Sequence, residues 1–272
     1  MSAHIQINRP QECFDLKRRV ARSSGILIRT HQVLGVIGIP KDDWECLDDR
    51  EWSNLLSRSA ALSRDSVTAI DLRGGAFQEL SSTHQALLEA FRCEPPFDAH
   101  HPVRDLIDQA ITCALVSVER VMGKRLKAFL HARLAINAPF LESTGYNVQT
   151  RSFMGLHYDR YKSYEPEDDA CFQLIGLNLG LCERSFCFSR FSPSAVGRRR
   201  KLHGQQGHAL DDSASGIGSF LPFHENEPIY RMTLEPLQAY IAPTQCIIHD
   251  GMTNRKGLAD VSLFIACQFH DG

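Results

Sequence analysis

A chain of 272 residues, 43% hydrophobic and 23% charged, can bury a large core without disulfide staples. Its formal net charge of -2 argues against nucleic acid or an anionic membrane as the main partner. No run approaches the length of a membrane span, and the opening segment MSAHIQINRPQECFDLKRR has no apolar signal-type core, so a cytoplasmic protein is expected. Nine cysteines at irregular spacings, with no CxxC, read as reduced thiols; Cys113 and Cys267 fall in apolar runs as core fillers.

In chain order, residues 11–23 (QECFDLKRRVARS) have the spacing of a short amphipathic helix. GILIRTHQVLGVIGI (25–39) is rich in aliphatic and β-branched residues and predicts one or two strands. DDREWSNLLSRSAAL (48–62) is spaced as a helix. A short apolar run, Val67 to Ile70, precedes Asp71-Leu72-Arg73-Gly74-Gly75, where the glycine pair marks a turn and Arg73 is a candidate for binding a substrate carboxylate. Residues 102–130 carry the strongest helical periodicity, with Pro102 suited to a first turn.

The pattern changes after Leu130. RLAINAPFL, YNVQTRSFMGLHYD, CFQLIGLNLG, SFCFSRF, YRMTL, LQAYIAP, QCIIHD and VSLFIACQF are short apolar segments broken by Gly, Pro, Asn and Asp. Such a series predicts a β-sandwich or barrel, with the 102–130 helix available to cover one sheet. The fold class is therefore α+β: a helix-rich part, 1–130, leading into a β core, 131–272. No linker separates them, so residues 1–272 are read as one domain.

Chemistry concentrates in Gly155-Leu156-His157-Tyr158-Asp159. On a strand over 153–159, His157 and Asp159 project to one side and Leu156 and Tyr158 to the other. An imidazole and a carboxylate on one face supply two ligands of a 2-His-1-carboxylate site, and a second His completes it while leaving positions open for a cosubstrate and dioxygen. His249 is the best third ligand: it is placed at the end of an apolar strand, in Gln245-Cys246-Ile247-Ile248-His249-Asp250-Gly251, just before a turn. His203 and His208 lie in a basic, Gly-rich stretch, and His224 is flanked by prolines. The bland alternative is a surface hydrogen bond between His157 and Asp159, with His249 a core histidine.

With these residues the sequence resembles the Fe(II)/2-oxoglutarate-dependent oxygenases of double-stranded β-helix (jelly-roll) fold, over roughly residues 130–270. The resemblance rests on GLHYD and on CIIHDG followed by a last strand. It implies Fe(II), 2-oxoglutarate and dioxygen as cofactor and cosubstrates, and hydroxylation of an unactivated C–H bond. The family members acting on free or N-acylated amino acids are the most similar. Related halogenases carry Gly or Ala in place of the carboxylate, so Asp159 implies oxygenation. Many members bind the distal carboxylate of 2-oxoglutarate through an Arg opening the last strand, in an RxS pattern; here the segment is Asp260-Val261-Ser262. Arg255 and Arg151 are the nearest candidates for that role.

Gly197-Arg198-Arg199-Arg200-Lys201 lies between strands and reads as a loop. Arg198, Arg199 and Arg200 are candidates for attracting an anionic small-molecule substrate; aromatic residues are not interleaved with them, which argues against nucleic acid. GxSxG, HExxH and zinc-type Cys/His spacings are absent. Two rival readings remain: a cupin-like metal enzyme that uses no 2-oxoglutarate, and a jelly-roll binding module without metal.

Overall fold

The structure, a computed structural model, describes residues 6–8, 15–31, 35–56, 62, 66–93, 103–159, 172–190, 217, 221, 224–253 and 255–270. The described elements are β1 (Gln6–Asn8), β2 (Val20–Ser23), β3 (Ile26–His31), β4 (Gly35–Pro40), β5 (Glu45–Cys46), α1 (Asp49–Leu55), β6 (Ser66–Asp71), α2 (Gln78–Cys93) and α3 (Val103–Met122). They continue with β7 (Leu126–Asn137), β8 (Tyr146–Asn147), β9 (Ser152–Phe153), β10 (Gln173–Asn178), β11 (Arg184–Ser189), β12 (Ile229–Leu234), β13 (Gln238–Ala242), β14 (His249–Met252) and β15 (Asp260–Phe269).

Two sheets carry the architecture. One has the order β1-β6-β13-β10-β15-β7, the other β14-β11-β12-β2-β5. All their pairings are antiparallel except β1 with β6. From β10 onward the chain runs through the first sheet (β10), the second (β11, β12), the first (β13), the second (β14) and the first again (β15). That alternation is the path of a double-stranded β-helix, as expected for residues 131–272.

Side-chain alternation sorts the core into layers. Leu174, Tyr240, Ala242, Phe264 and Ala266 from the first sheet meet Phe186, Phe188, Tyr230, Met232 and Leu234 from the second. The opposite face of the first sheet, with Ile175, Leu177, Ile241, Leu263 and Ile265, packs on α2 and α3 through Leu80, Leu87, Ala110, Ala114 and Val118. The outer face of the second sheet gathers Cys187, Ile229, Ile248 and Met252 with Ile26 of the β3–β4 hairpin and with Leu156 and Tyr158.

The first part of the chain is more mixed than its periodicity implied. All three α-helices among the described residues precede Gly123, but six strands do too, and β1, β2, β5 and β6 extend the two sheets. Of the helix expected over 11–23, residues 11–14 lie outside the described residues; the rest forms a 3-10 turn at Leu16–Arg19 followed by β2. Val20 and Ser23 are buried, and pairing with β12 outweighs the weak helical propensity of that stretch. The expected 48–62 helix stops at Leu55; it starts on a capping box in which Asp48 and Glu51 each accept the other's backbone N–H. The expected 102–130 helix ends at Met122, where Gly123 takes the left-handed conformation (φ 62) and the chain turns into β7. No helix among the described residues is long and apolar enough to cross a membrane.

One glycine shapes the interior between the sheets. Arg133, Phe264, Gly176 and Tyr240 stand in a row across β7, β15, β10 and β13. A Cβ at Gly176 would lie 2.3 Å from the Tyr240 ring, so the missing side chain is what lets that ring lie across β10. Gly176→Ala is therefore expected to destabilise the fold by about 1–3 kcal/mol, the usual cost of overpacking a core. A urea-denaturation midpoint unchanged from wild type would contradict this.

Candidate metal centre

His157, Asp159 and His249 converge. One ligand atom from each lies within 4.8 Å of the others, and they are the one His/Cys/Asp/Glu group of metal-binding geometry among the described residues. Nε2 of His157 is 3.9 Å from Asp159 Oδ1, and Nε2 of His249 is 3.9 Å from Asp159 Oδ2. The carboxylate thus faces both imidazoles, one oxygen toward each.

Backbone bonds fix this arrangement. His157 N–H donates to the His249 carbonyl at 2.9 Å, and His249 N–H donates to the His157 carbonyl at 2.7 Å, forming an isolated antiparallel bridge. Asp159 N–H is held by the Thr244 carbonyl at 3.0 Å. The expected 153–159 strand is realised only as β9 and this bridge, yet its alternation survives: Leu156 and Tyr158 point into the outer apolar cluster, opposite His157 and Asp159. His249 opens β14 rather than ending a strand, because residues 244–246 form a turn.

The other ring nitrogens are already used. Nδ1 of His157 lies 2.7 Å from the Gly155 carbonyl, and Nδ1 of His249 lies 3.0 Å from the Ile247 carbonyl. A carbonyl only accepts, so each Nδ1 carries the proton and each Nε2 presents its lone pair to the centre of the group. This is the tautomer a metal requires. Two imidazole nitrogens and one carboxylate oxygen match the donor set of a non-haem Fe(II) site with open positions.

Neighbouring residues hold the rings in place. A Cβ at Gly145 would lie 2.4 Å from His157 Cε1, so the backbone there passes directly against the imidazole. Asp250, next to His249, clasps that loop: its Oδ1 accepts from the N–H groups of Thr144 (3.3 Å), Gly145 (3.1 Å) and Gly251 (2.7 Å). Gly155 has φ 69, and a side chain there would strike the Gly38 carbonyl at 2.4 Å.

Charge states suit metal binding. Burial, and then the nearby His249, hold the His157 imidazole below its ordinary basicity and favour the neutral ring. For Asp159, burial opposes ionisation, but His249 and then His157 outweigh it and keep the carboxyl below the usual carboxylate range.

Phe186 stacks on Tyr240 (3.8 Å between ring centroids) and leads from His249 toward a buried guanidinium that sequence reasoning missed. Arg184 is only 2% exposed. Its Nε lies 3.5 Å from Asp260 Oδ1, its guanidinium lies over the Phe264 ring at 5.1 Å, and Nε and Nη1 have no hydrogen-bond partner among the described residues. Gly251 makes room for it, since a Cβ there would come within 3.0 Å of Arg184 Nη2. Asp260 also accepts from Asn137 Nδ2 at 3.0 Å. Asp260, the first residue of β15, is therefore the counter-charge of an arginine on the opposite sheet. No local pattern in Glu183-Arg184-Ser185 announces this; only the strand alternation of SFCFS, which points Arg184 to the side of Phe186 and Phe188, offers a signal.

The other expected residues are placed elsewhere or not described. Arg255 is 66% exposed on its side chain, pairs with Asp42 at 2.6 Å, and lines a cavity to which none of the three ligands contributes. Arg151 is exposed in the turn between β8 and β9, at φ 53. Arg73 is bound by Asp71 and Glu235, and Glu235 is shared with Arg19. Arg198, Arg199, Arg200, His203 and His208 lie outside the described residues. His224 is buried beside Glu227.

No family model matches the sequence, and no curated protein matches it. Among solved structures, the apo Kdo hydroxylase KdoO, a non-heme Fe(II) alphaketoglutarate dependent dioxygenase, aligns at 11% identity over 75% of this chain and 79% of that one, with a TM-score of 0.44. AviO1 from Streptomyces viridochromogenes Tue57 aligns at 12% identity over 73% of this chain and 86% of that one (TM-score 0.40). The non-heme alpha ketoglutarate dependent carbocyclase SnoK from nogalamycin biosynthesis aligns at 12% identity over 74% and 79% (TM-score 0.38). At these identities and scores the likenesses assign no chemistry to the chain.

Two outcomes are expected of these groups. A histidine with depressed basicity stays neutral in the fold while its unfolded counterpart takes up a proton below about pH 6.5. Its contribution to stability is therefore complete above that pH and is lost as the pH falls through it. His157, His84 and His131 all act in this direction, each chiefly through burial. With metal chelated, the stability measured by urea denaturation should fall from pH 7 to pH 5, with a shallower slope in His157→Asn. Second, Asp260→Ala strands Arg184 in the core and should cost about 3–5 kcal/mol, the scale for breaking a buried pair. Asp260→Asn, which keeps the Asn137 and Ser262 neighbours, should cost less on the same denaturation curve.

Proposed function

We propose that the chain is a non-haem Fe(II)/2-oxoglutarate-dependent oxygenase, a single domain in which His157, Asp159 and His249 hold the iron. The observation that carries this reading is the convergence of two Nε2 atoms and one carboxylate, with both Nδ1 atoms tied back to main-chain carbonyls. Three protein ligands leave coordination positions for a bidentate keto acid and for dioxygen. When bound, iron with these cosubstrates supplies the oxidising power for inserting one oxygen atom into a C–H bond, the other oxygen leaving in succinate as 2-oxoglutarate loses CO2.

The protein's part is binding and orientation. 2-Oxoglutarate carries a distal carboxylate that costs several kcal/mol to bury without a cation. Arg184 is the residue we assign to it. Asp260 lies beside Nε as its counter-charge, and the unpartnered Nη1 offers a donor. The apolar rings of Phe186, beside His249, and of Phe264, beside Arg184, shield the cosubstrate from water. Arg133 stands exposed on the edge strand β7, its guanidinium 5.2 Å from the centroid of the Phe264 ring, with no ion-pair partner among the described residues. It is suited to a carboxylate on a small substrate, such as a free or N-acylated amino acid.

Anaerobic Fe(II) titration with and without 2-oxoglutarate tests the reading. One equivalent of iron should bind, and 2-oxoglutarate should add a weak visible charge-transfer band. Ala at His157, Asp159 or His249 should abolish both. Arg184→Gln should retain iron and raise the apparent KM for 2-oxoglutarate at least about tenfold, whereas Arg255→Gln should leave it unchanged. Iron binding with no response to 2-oxoglutarate would instead favour a metal enzyme of another class, and no metal binding at all would favour a binding module.

A further inference from the structure

The cavity that Arg255 lines, of about 570 Å³, lies between the β3–β4 hairpin and the segment from Phe140 to Gly155. Its volume is in the range of small-molecule sites. Ile37, Ile39, Phe140, Leu141 and Phe153 form its apolar side. Phe140 is held at φ 65, a conformation that bulky residues avoid, and the residue is 61% exposed; Phe153 is also exposed. Large rings kept in water at a cavity wall, one of them on strained backbone, serve a binding surface better than they serve a fold.

The polar side carries two guanidiniums. Arg29 pairs with Glu142 at 3.0 Å and Arg255 pairs with Asp42 at 2.6 Å. All four side chains are about half exposed or more, and exposed pairs of this kind are weak enough for an incoming anion to replace one partner. The cavity floor is Ser143 and Gly155. Ser143 Oγ accepts the Gly155 N–H at 3.1 Å, and the Gly155 carbonyl accepts from His157 Nδ1 at 2.7 Å. The neighbouring Leu156 N–H donates to the Gly38 carbonyl, between Ile37 and Ile39 of the cavity wall, at 2.7 Å. A molecule seated here is one peptide away from the imidazole that faces Asp159.

We infer that this cavity is a ligand site separate from the metal centre, that it takes an amphipathic anion, an apolar or aromatic body bearing a carboxylate or sulfonate, and that occupancy changes metal affinity through the Gly155 peptide. The coupling rests on His157 being a metal ligand; the binding does not.

The dye 8-anilinonaphthalene-1-sulfonate, an aromatic anion, reports binding by fluorescence, and decanoate serves as a competitor. Wild type should bind one dye, displaced by decanoate. Phe140→Gly should weaken binding at least about tenfold, as loss of an aromatic anchor does, while its melting temperature stays level or rises because glycine accepts φ 65 without strain. Arg255→Gln should weaken binding about threefold. Absence of dye binding in wild type, or equal affinity in both variants and wild type, overturns the site. Mn(II) affinity, followed by electron paramagnetic resonance, should shift at least about threefold when decanoate is present, a change of about 0.6 kcal/mol. An unchanged Mn(II) affinity overturns the coupling. A wild-type protein that binds dye but no Mn(II) defeats the metal reading and leaves the ligand site standing.

Discussion

His157 and His249 exchange both backbone hydrogen bonds, and the bond from each Nδ1 ends on a main-chain carbonyl two residues back. Main chain therefore sets both the separation and the rotation of the two imidazoles, which frees their Nε2 atoms to face Asp159. Everything nearby supports that bridge. Thr244 holds Asp159, Asp250 clasps the loop that lies against the His157 ring, and Gly145 and Gly155 allow main chain to approach where a side chain would collide. A site built in this way is organised before any ligand arrives, which limits the reorganisation needed on binding.

A second constraint comes from placing charge inside an apolar sandwich. Arg184 and Asp260 come from opposite sheets and meet between them, near Phe264 and Tyr240. A buried pair contributes little net stability by itself, because desolvation offsets attraction. Its value here is geometric. The carboxylate 3.5 Å from Nε is the counter-charge that keeps the guanidinium between the sheets, and Gly251 keeps volume available beside it. The same charges cost stability if either partner is lost, which ties the structural integrity of the core to its polar chemistry.

Much of this was legible in the sequence, and the failures have physical causes. GLHYD and CIIHDG identify residues that the fold does bring together, because period-two alternation needs no tertiary information. The series of short apolar segments after Leu130 gives the strands of the β-helix, and the 102–130 periodicity gives a helix that covers one sheet. Strand order across sheets was not legible. Arg255 follows His249 by six residues, yet the turn after β14 carries it outward to Asp42; Arg184 is 65 residues from His249, yet β11 lies beside β14. Proximity along the chain is a poor guide to a cation's position once sheets are folded face to face. The 25–39 segment does form the strands β3 and β4, but β2 and β5 were missed for a related reason: they are short, and pairing with distant partners decides their conformation.

The position of β15 has a consequence for how the chain acquires its structure. Residues 260–269 are not at a sheet edge; they lie between β10 and β7, paired with both. The longest strand of the first sheet, β7, has its only described sheet partner in β15. Until residues 260–269 have left the ribosome, β7 and β10 both expose unpaired strand edges, and the two sheets cannot enclose their shared core. Closure of the two sheets thus waits on the last of their strands and on contacts of long sequence separation, slow by topology, and the chain must be kept from pairing with other strands in the interval.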